Sequence, residues 1–149
     1  MSASESSATQ RKRIVVGVDG SPSSVRALEW AISQAELTGS VVDAIYAWHF
    51  PAVYGLPATD VPDYPSLADE VLSKAIAEAR KIDGSAEIRP HVAEGNAVQI
   101  LLDAARGADL LVVGSRGHGG FSGALLGSVS QNVVHHSPCP VVVIRGATG

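Results

Sequence analysis

RIVVGVDGSPSSVRALEWAISQAELTGSVVDAIYAW, residues 13–48, contains a complete strand–helix–strand unit. Residues 13–20 form a β-branched apolar run that ends at turn residues, which predicts a strand buried on both faces. Ser21 as an N-cap, a proline after it and apolar residues at helical spacing predict a helix that stops near Gly39. A second apolar run, 40–48, predicts another strand. Because a helix joins the two strands, we expect them to be parallel.

The rest of the chain continues this alternation. Further strands are predicted at 86–95, 109–114 and 140–146, and further helices at 66–82, 96–108 and 129–137. The order predicts an α/β fold: a single-domain, open, parallel five-stranded sheet with helices on both faces. Pro90 places the third strand at an edge, because proline cannot donate to a strand ladder. Four prolines in residues 49–65 predict a long loop, either ordered or acting as a lid.

Length and charge limit the classes of function. A chain of 149 residues is most simply one domain, which we place at 12–146 after a disordered tail at 1–11. The net charge of −4 disfavours nucleic acid as a partner, and no apolar run is long enough for a membrane span. The basic cluster of residues 11–13 is typical of a solvated flank. A single cysteine is consistent with a cytoplasmic protein.

A glycine-rich stretch, VVGSRGHGGFSGALLGSVSQ, covers residues 112–131. It lacks the lysine of a Walker A loop, the spacing of a dinucleotide fingerprint and a Gly-x-Ser-x-Gly elbow. Its glycines nevertheless allow a ligand close to the backbone, and its end begins a helix whose free N–H groups favour an anion. Ser128 and Ser130 add hydroxyl donors, while Arg116 and His118 add cationic ones. A strand-to-helix link without a ligand is the alternative.

The spacing Gly114-x2-Gly117-x9-Gly127-Ser128 resembles the glycine pattern of the nucleotide-binding branch of the universal stress protein family. IVVGVDGS, ADLLVVGSRG and HHSPCPVVVI agree with it, so that the resemblance covers residues 13–145. It implies a sheet of order 3-2-1-4-5, of the adenine nucleotide alpha hydrolase-like type. It also implies that an adenosine nucleotide lies in the crevice between the two halves of the sheet.

The same resemblance implies which residues surround the nucleotide. Some would line adenine and ribose, and others, from the glycine-rich stretch, would wrap the phosphates. Asp19 has an alternative role as a turn residue before Ser21. For His118, solvent exposure is the alternative to phosphate contact. The complete set is Gly17, Val18, Asp19, Ala47, Val113, Gly114, Arg116, Gly117, His118, Gly127, Ser128, Val129 and Ser130.

The resemblance therefore implies an ATP-binding stress-response regulatory protein in which nucleotide occupancy tunes conformation or the binding of an unknown protein partner. The residues suggest no catalytic set and no metal-ligand cage, so Mg²⁺ would accompany ATP through its phosphates and water. Slow hydrolysis at most is expected. The alternatives are an ATPase or phosphotransferase, an AMP or cyclic AMP sensor, and a partner-binding module with a vacant loop. The apolar edge strand at 140–145 predicts a homodimer.

Overall fold

The computed structural model describes residues 11–48, 64–80, 84–115 and 127–145. Within these ranges the strands form one parallel sheet of order β3-β2-β1-β4-β5. The predicted fold class and strand order are both confirmed. The strands are β1 (Arg13–Gly17), β2 (Val41–Trp48), β3 (Glu87–Glu94), β4 (Leu110–Gly114) and β5 (Val141–Ile144); the helices are α1 (Pro22–Thr38), α2 (Tyr64–Ala79), α3 (Ala97–Ala105) and α4 (Ser128–His136).

The ends of α1 follow from local chemistry. The Ser21 side chain accepts a hydrogen bond from the N–H of Ser24 at 3.3 Å, which satisfies one of the free donors of the first turn. At the other end Gly39 adopts φ +75°, and its N–H donates to the carbonyl of Ala35 at 2.8 Å. A glycine suits this left-handed conformation because it has no Cβ. Both predicted helix ends are therefore confirmed.

Two apolar clusters cover the two faces of the sheet. Alternation along β1 sends Val16 to one cluster and Val15 to the other. The first cluster includes Leu28 of α1 and Leu72 of α2, and the second includes Leu101 of α3. Helices α1 and α2 therefore pack on one face, and α3 and α4 on the opposite one, as predicted.

Several element boundaries differ from prediction: β1 ends at Gly17 rather than residue 20, and α3 ends at Ala105 rather than residue 108. Helix α2 begins at Tyr64, two residues earlier than the predicted 66. A proline at residue 65 is tolerated there because N–H groups of the first helical turn have no intrahelical acceptor. Residues 49–63 of the predicted loop lie outside the described residues. Strand β3 pairs only with β2 in the described sheet, so the edge position expected from Pro90 is confirmed.

A partly buried ion pair joins β1, β2 and α3 at the amino ends of the strands. The Arg13 guanidinium lies 2.9 Å from the carboxylate of Asp43, whose side chain is only 7% exposed. It also donates to the carbonyl oxygens of Ala104 and Arg106, at 3.2 and 3.1 Å, and His91 Nε2 lies 3.2 Å from Asp43. The interpretation of residues 11–13 as a solvated flank is therefore wrong for Arg13.

We expect the Asp43→Ala variant to lower the free energy of unfolding by about 2 kcal/mol, because a hydrogen-bonded charge pair is lost from the interior. Urea denaturation measures this. Glu87→Ala is the matched control: Glu87 is exposed, and hydrogen bonds from Arg89 and Arg11 lower its pKa. Because such a surface pair is screened by water, the control should unfold almost like the wild type. Equal losses in both variants would contradict the assignment.

Candidate functional site

The candidate site lies where the strand order reverses. Strand β1 has β2 on one side and β4 on the other, so the connections leave in opposite directions from the carboxyl ends of β1 and β4. Ligands of open parallel sheets bind at such a point. The segments that follow β1 and β4 are the two that the sequence singles out. Gly17 and Val113 meet here, because a Cβ built on Gly17 would lie 3.5 Å from Val113 Cγ1.

The turn after β1 is fixed by hydrogen bonds. Asp19 Oδ1 accepts a bond from the N–H of Ser21 at 2.8 Å, and the N–H of Asp19 donates to Ser24 Oγ at 3.2 Å. The turn role foreseen for Asp19 is thus present. Val18 is buried, with its N–H on the carbonyl of Ile45 at 2.8 Å. Its side chain belongs to the core.

Gly114, the last residue of β4, allows α1 to approach the sheet closely. A Cβ added there would lie 2.5 Å from Ser23 Oγ and 2.7 Å from the Ser23 carbonyl carbon. These distances are shorter than any real contact of a Cβ atom, and one of the atoms is backbone. The glycine is therefore required by packing, and it fixes the distance between the first turn of α1 and the end of β4.

The amino end of α4 is tied to the same strand. Gly127 is its N-cap, with φ −66° and no side-chain cap, and its N–H donates to the carbonyl of Ser115 at 2.7 Å. The Ser130 hydroxyl donates to the carbonyl of Gly114. Ser128 is exposed, whereas Ser130 is buried. The first N–H groups of a helix have no intrahelical acceptor, so this helix end is suited to an anion.

The structure brings together most of the site residues expected from the sequence. Ala47 is half-buried near the carboxyl end of β2, two residues beyond the Ile45 carbonyl that binds β1. Val113, like Val18, is buried. Val129 is half-buried and packs in the α3–α4 cluster. Arg116, Gly117 and His118 lie outside the described residues.

Two serines of this region were not among the site residues expected from the sequence. Ser23 packs against Gly114, and Ser115 connects two neighbours: its N–H donates to the carbonyl of Ile144 and its carbonyl accepts from Gly127, both at 2.7 Å. The sequence contains little signal for Ser23, because serine is common at the start of a helix whether or not another element packs against it. For Ser115 the bonds are made by the backbone, so its residue type gave no signal.

An open cleft of about 570 Å³ lies at the opposite end of the sheet. Three of its four cations are already engaged: Arg13 pairs with Asp43, and both Arg11 and Arg89 pair with Glu87. We therefore assign the cleft a structural role and place the candidate site at the carboxyl ends. The lining residues are Arg11, Lys12, Arg13, Val41, Arg89, Gly107 and Asp109.

The described ranges contain neither of two further features, a metal-ligand cluster and a membrane-spanning helix. No group of three or more His, Cys, Asp or Glu side chains in residues 11–48, 64–80, 84–115 and 127–145 is arranged to hold a metal ion. Among the same residues, no helix combines the length and the apolar character that crossing a bilayer requires.

Residues 10–145 match the family model described as the universal stress protein family. The chain belongs to this family. A curated universal stress protein of Mycobacterium tuberculosis is 34% identical over 136 residues, which are 91% of this chain and 46% of that protein. The chain thus spans about half the length of the curated relatives it matches. The predicted family is confirmed.

Solved structures of the family share the fold. A universal stress protein in complex with cAMP is 29% identical and gives a TM-score of 0.70, covering 91% of this chain and 97% of the other. One from Archaeoglobus fulgidus, in complex with dAMP, is 27% identical with a TM-score of 0.66, covering 89% and 97%. Both complexes contain an adenine nucleotide, which supports nucleotide binding as a property of close structural neighbours.

The packing at Gly114 yields a test of the site's scaffold. We expect Gly114→Ala to lower the free energy of unfolding by about 1–3 kcal/mol, because the new methyl group meets the Ser23 backbone and overpacks the interior. Gly17→Ala is the control, since its methyl group would be crowded by the end of the flexible Leu101 side chain, at 2.9 Å, and would lie at an ordinary contact distance of 3.5 Å from Val113 Cγ1. Thermal unfolding followed by circular dichroism compares the two. A Gly17 variant that is as unstable would refute the distinction.

Proposed function

We propose that this chain is an ATP-binding regulatory protein in which nucleotide occupancy changes its conformation or its binding of a protein partner. The observation that supports this most is the amino end of α4, which lacks a side-chain cap and is held beside the end of β4. Its N–H groups lie at the reversal of strand order, where ligands of such sheets bind. Family members solved with cAMP and dAMP support an adenine nucleotide as the ligand.

In this proposal the nucleotide spans the ends of β1, β2 and β4. Adenine and ribose lie against Gly17, Asp19 and Ala47, and against the backbone of Val18 and Val113, because those two side chains are buried. The ribose and phosphates follow Gly114 towards α4. Arg116, Gly117 and His118 remain predictions for the phosphate side, on the family pattern alone.

The phosphates meet Gly127, Ser128, Val129 and Ser130 in the same proposal. The backbone N–H groups of Ser128, Val129 and Ser130 are the common donors, because the N–H of Gly127 already binds the carbonyl of Ser115 at 2.7 Å, and the exposed Ser128 adds its hydroxyl. Mg²⁺ binds the triphosphate and water, which agrees with its preference for few protein ligands, and the described residues offer it no three-ligand cluster. ATP is held by a backbone cradle that carries no assigned catalytic group, so hydrolysis is slow at most.

A sensor of AMP or cyclic AMP is the second candidate, because one close structural neighbour contains cAMP. An ATPase or phosphotransferase is the third. Calorimetric titration with ATP, AMP, cyclic AMP and adenosine separates the first two, since the preferred ligand binds most tightly. Phosphate release with Mg²⁺ separates the third, because many turnovers per minute would require an efficient enzyme.

The location we propose is the cytoplasm.

Gly127 is the residue whose substitution tests phosphate binding. Its φ of −66° is open to any residue, so a substitution changes the available space and not the backbone conformation. We expect Gly127→Val to weaken ATP binding by roughly tenfold or more, because its branched side chain keeps the phosphates away from the N–H groups. The loss of binding free energy corresponds to about one charge-assisted hydrogen bond. Titration calorimetry measures the dissociation constant.

Two comparisons make this test specific. Gly127→Ala should show a smaller loss of ATP affinity than Gly127→Val, because the loss scales with side-chain size. Adenosine has no phosphate, so its affinity should be the same in all three proteins. Unchanged ATP binding by a folded Gly127→Val variant would show that the phosphates lie elsewhere.

We further propose a homodimer that forms through the edge strand β5, residues 140–145. The carbonyls of Pro140 and Ile144 face β4, so alternation turns the backbone groups of Val141 and Val143 towards the open edge. An open apolar edge favours pairing with a second copy. A protein partner, still unidentified, would be a separate contact.

Analytical ultracentrifugation should show a dimer at micromolar concentration. Val143→Pro removes a donor from the open edge and keeps the bonds to β4, so it should shift the protein towards monomer while circular dichroism remains unchanged. Val134→Ala, an exposed substitution on α4, is the control for loss of apolar surface alone. A wild-type monomer at micromolar concentration would refute the edge-strand dimer.

A further inference from the structure

The two serines in the first turn of α4 are in opposite environments. Ser128 is exposed, whereas Ser130 is 4% exposed and its hydroxyl donates to the carbonyl oxygen of Gly114. A serine has only one O–H proton to donate. Because that proton is already used within the protein, the Ser130 hydroxyl is not a donor for a phosphate oxygen.

The acceptor of this bond belongs to the most constrained part of the sheet. Gly114 ends β4 and lies against the first turn of α1, where even a methyl group would collide with Ser23. The next carbonyl along the chain, that of Ser115, accepts the N–H of Gly127 at 2.7 Å. The amino end of α4 therefore donates hydrogen bonds to two consecutive carbonyl groups, those of Gly114 and Ser115.

We propose that Ser130 is a positioning residue: its hydroxyl fastens the amino end of α4 to the end of β4, so that the N–H groups of the helix stand ready for phosphate before a ligand arrives. The effect on phosphate binding rests on the proposed function, whereas the hydrogen bond of Ser130 does not. It replaces the phosphate-donor role first expected for the Ser130 side chain. Its backbone N–H stays among the phosphate donors, and Ser128 alone supplies a hydroxyl.

The two possible roles of Ser130, positioning the helix and contacting phosphate directly, predict different behaviour of the ligand-free protein. If Ser130 positions the helix, its loss loosens α4 even when no nucleotide is present. If it contacts phosphate directly, its loss changes nothing until the nucleotide binds. Amide hydrogen exchange of residues 131–134 in the ligand-free protein distinguishes the two, because these amides lie within the helix that the hydroxyl secures.

The experiment compares Ser130→Ala, Ser130→Thr and Ser33→Ala with the wild type. Removing one buried hydrogen bond should speed exchange at residues 131–134 by about tenfold in Ser130→Ala and weaken ATP binding by up to a similar factor. Adenosine affinity should change less than about twofold, because only phosphate uses this helix end. Ser33, exposed in the middle of α1, is the matched serine control and should match the wild type in every readout.

Rescue separates the hydrogen bond from packing. Ser130→Thr keeps the hydroxyl and should restore slow exchange and ATP affinity. If its extra methyl group prevents folding, as judged by circular dichroism, Ser130→Cys serves instead: it keeps nearly the same volume with a weak donor and should give intermediate values. Intermediate exchange and affinity in that variant would support the proposal, whereas values equal to the wild type would overturn it.

The outcomes are separable from those of the proposed function. Unchanged exchange in ligand-free Ser130→Ala with weakened ATP binding would overturn the positioning role in favour of direct contact. Unchanged exchange and unchanged binding would also overturn it. Faster exchange in a protein whose wild type binds none of the four ligands would support the role of Ser130 in holding α4 and would refute the nucleotide function.

Discussion

The close approach of two helices to the last residue of β4 is the constraint on which the site depends. Gly114 has no side chain, so the first turn of α1 reaches the strand through Ser23, while its carbonyl oxygen receives the Ser130 hydroxyl of α4. The two helices lie on opposite faces of the sheet. The absence of a side chain at Gly114 sets the distance of α1 from the sheet at the point where the strand order reverses. Any larger residue would collide with Ser23 and displace the first turn of α1.

The two ends of the sheet serve different purposes because their polar groups are satisfied differently. At the amino ends, the Arg13 guanidinium is bound to a carboxylate and two carbonyls, and Asp43 also has His91. Such groups stabilise the fold and have little capacity left for a ligand. At the carboxyl ends, α4 begins with a glycine and without a side-chain cap, so its donors are available. We therefore propose that recognition takes place at this end, where the first N–H groups of α4 have no intrahelical acceptor.

The sequence predicts the architecture well, because each helix and strand is indicated by residues that are close together in the chain. Ser21, Pro22 and Gly39 mark the two ends of α1 by chemistry that involves a few neighbouring residues. The role of Asp43 could not be predicted in this way. A carboxylate within an apolar strand is explained only by its partner Arg13, which is thirty positions away in the sequence and adjacent in the fold. Likewise, the sequence predicts Gly114 and Ser130 as site residues but not their contact, which depends on the folded distance between positions 16 apart in the sequence.

That contact changes the meaning of the glycine–serine pattern. A motif records which residue types recur, and it treats neighbouring hydroxyl groups as equivalent donors. Burial separates them here: exposure leaves Ser128 accessible to a ligand, whereas Ser130 faces inward and bonds to the protein. A ligand that meets mainly backbone N–H groups needs those groups held in place, because a mobile helix end would lose entropy on binding. The inward serine supplies that order in advance, so it contributes to affinity without touching the phosphate.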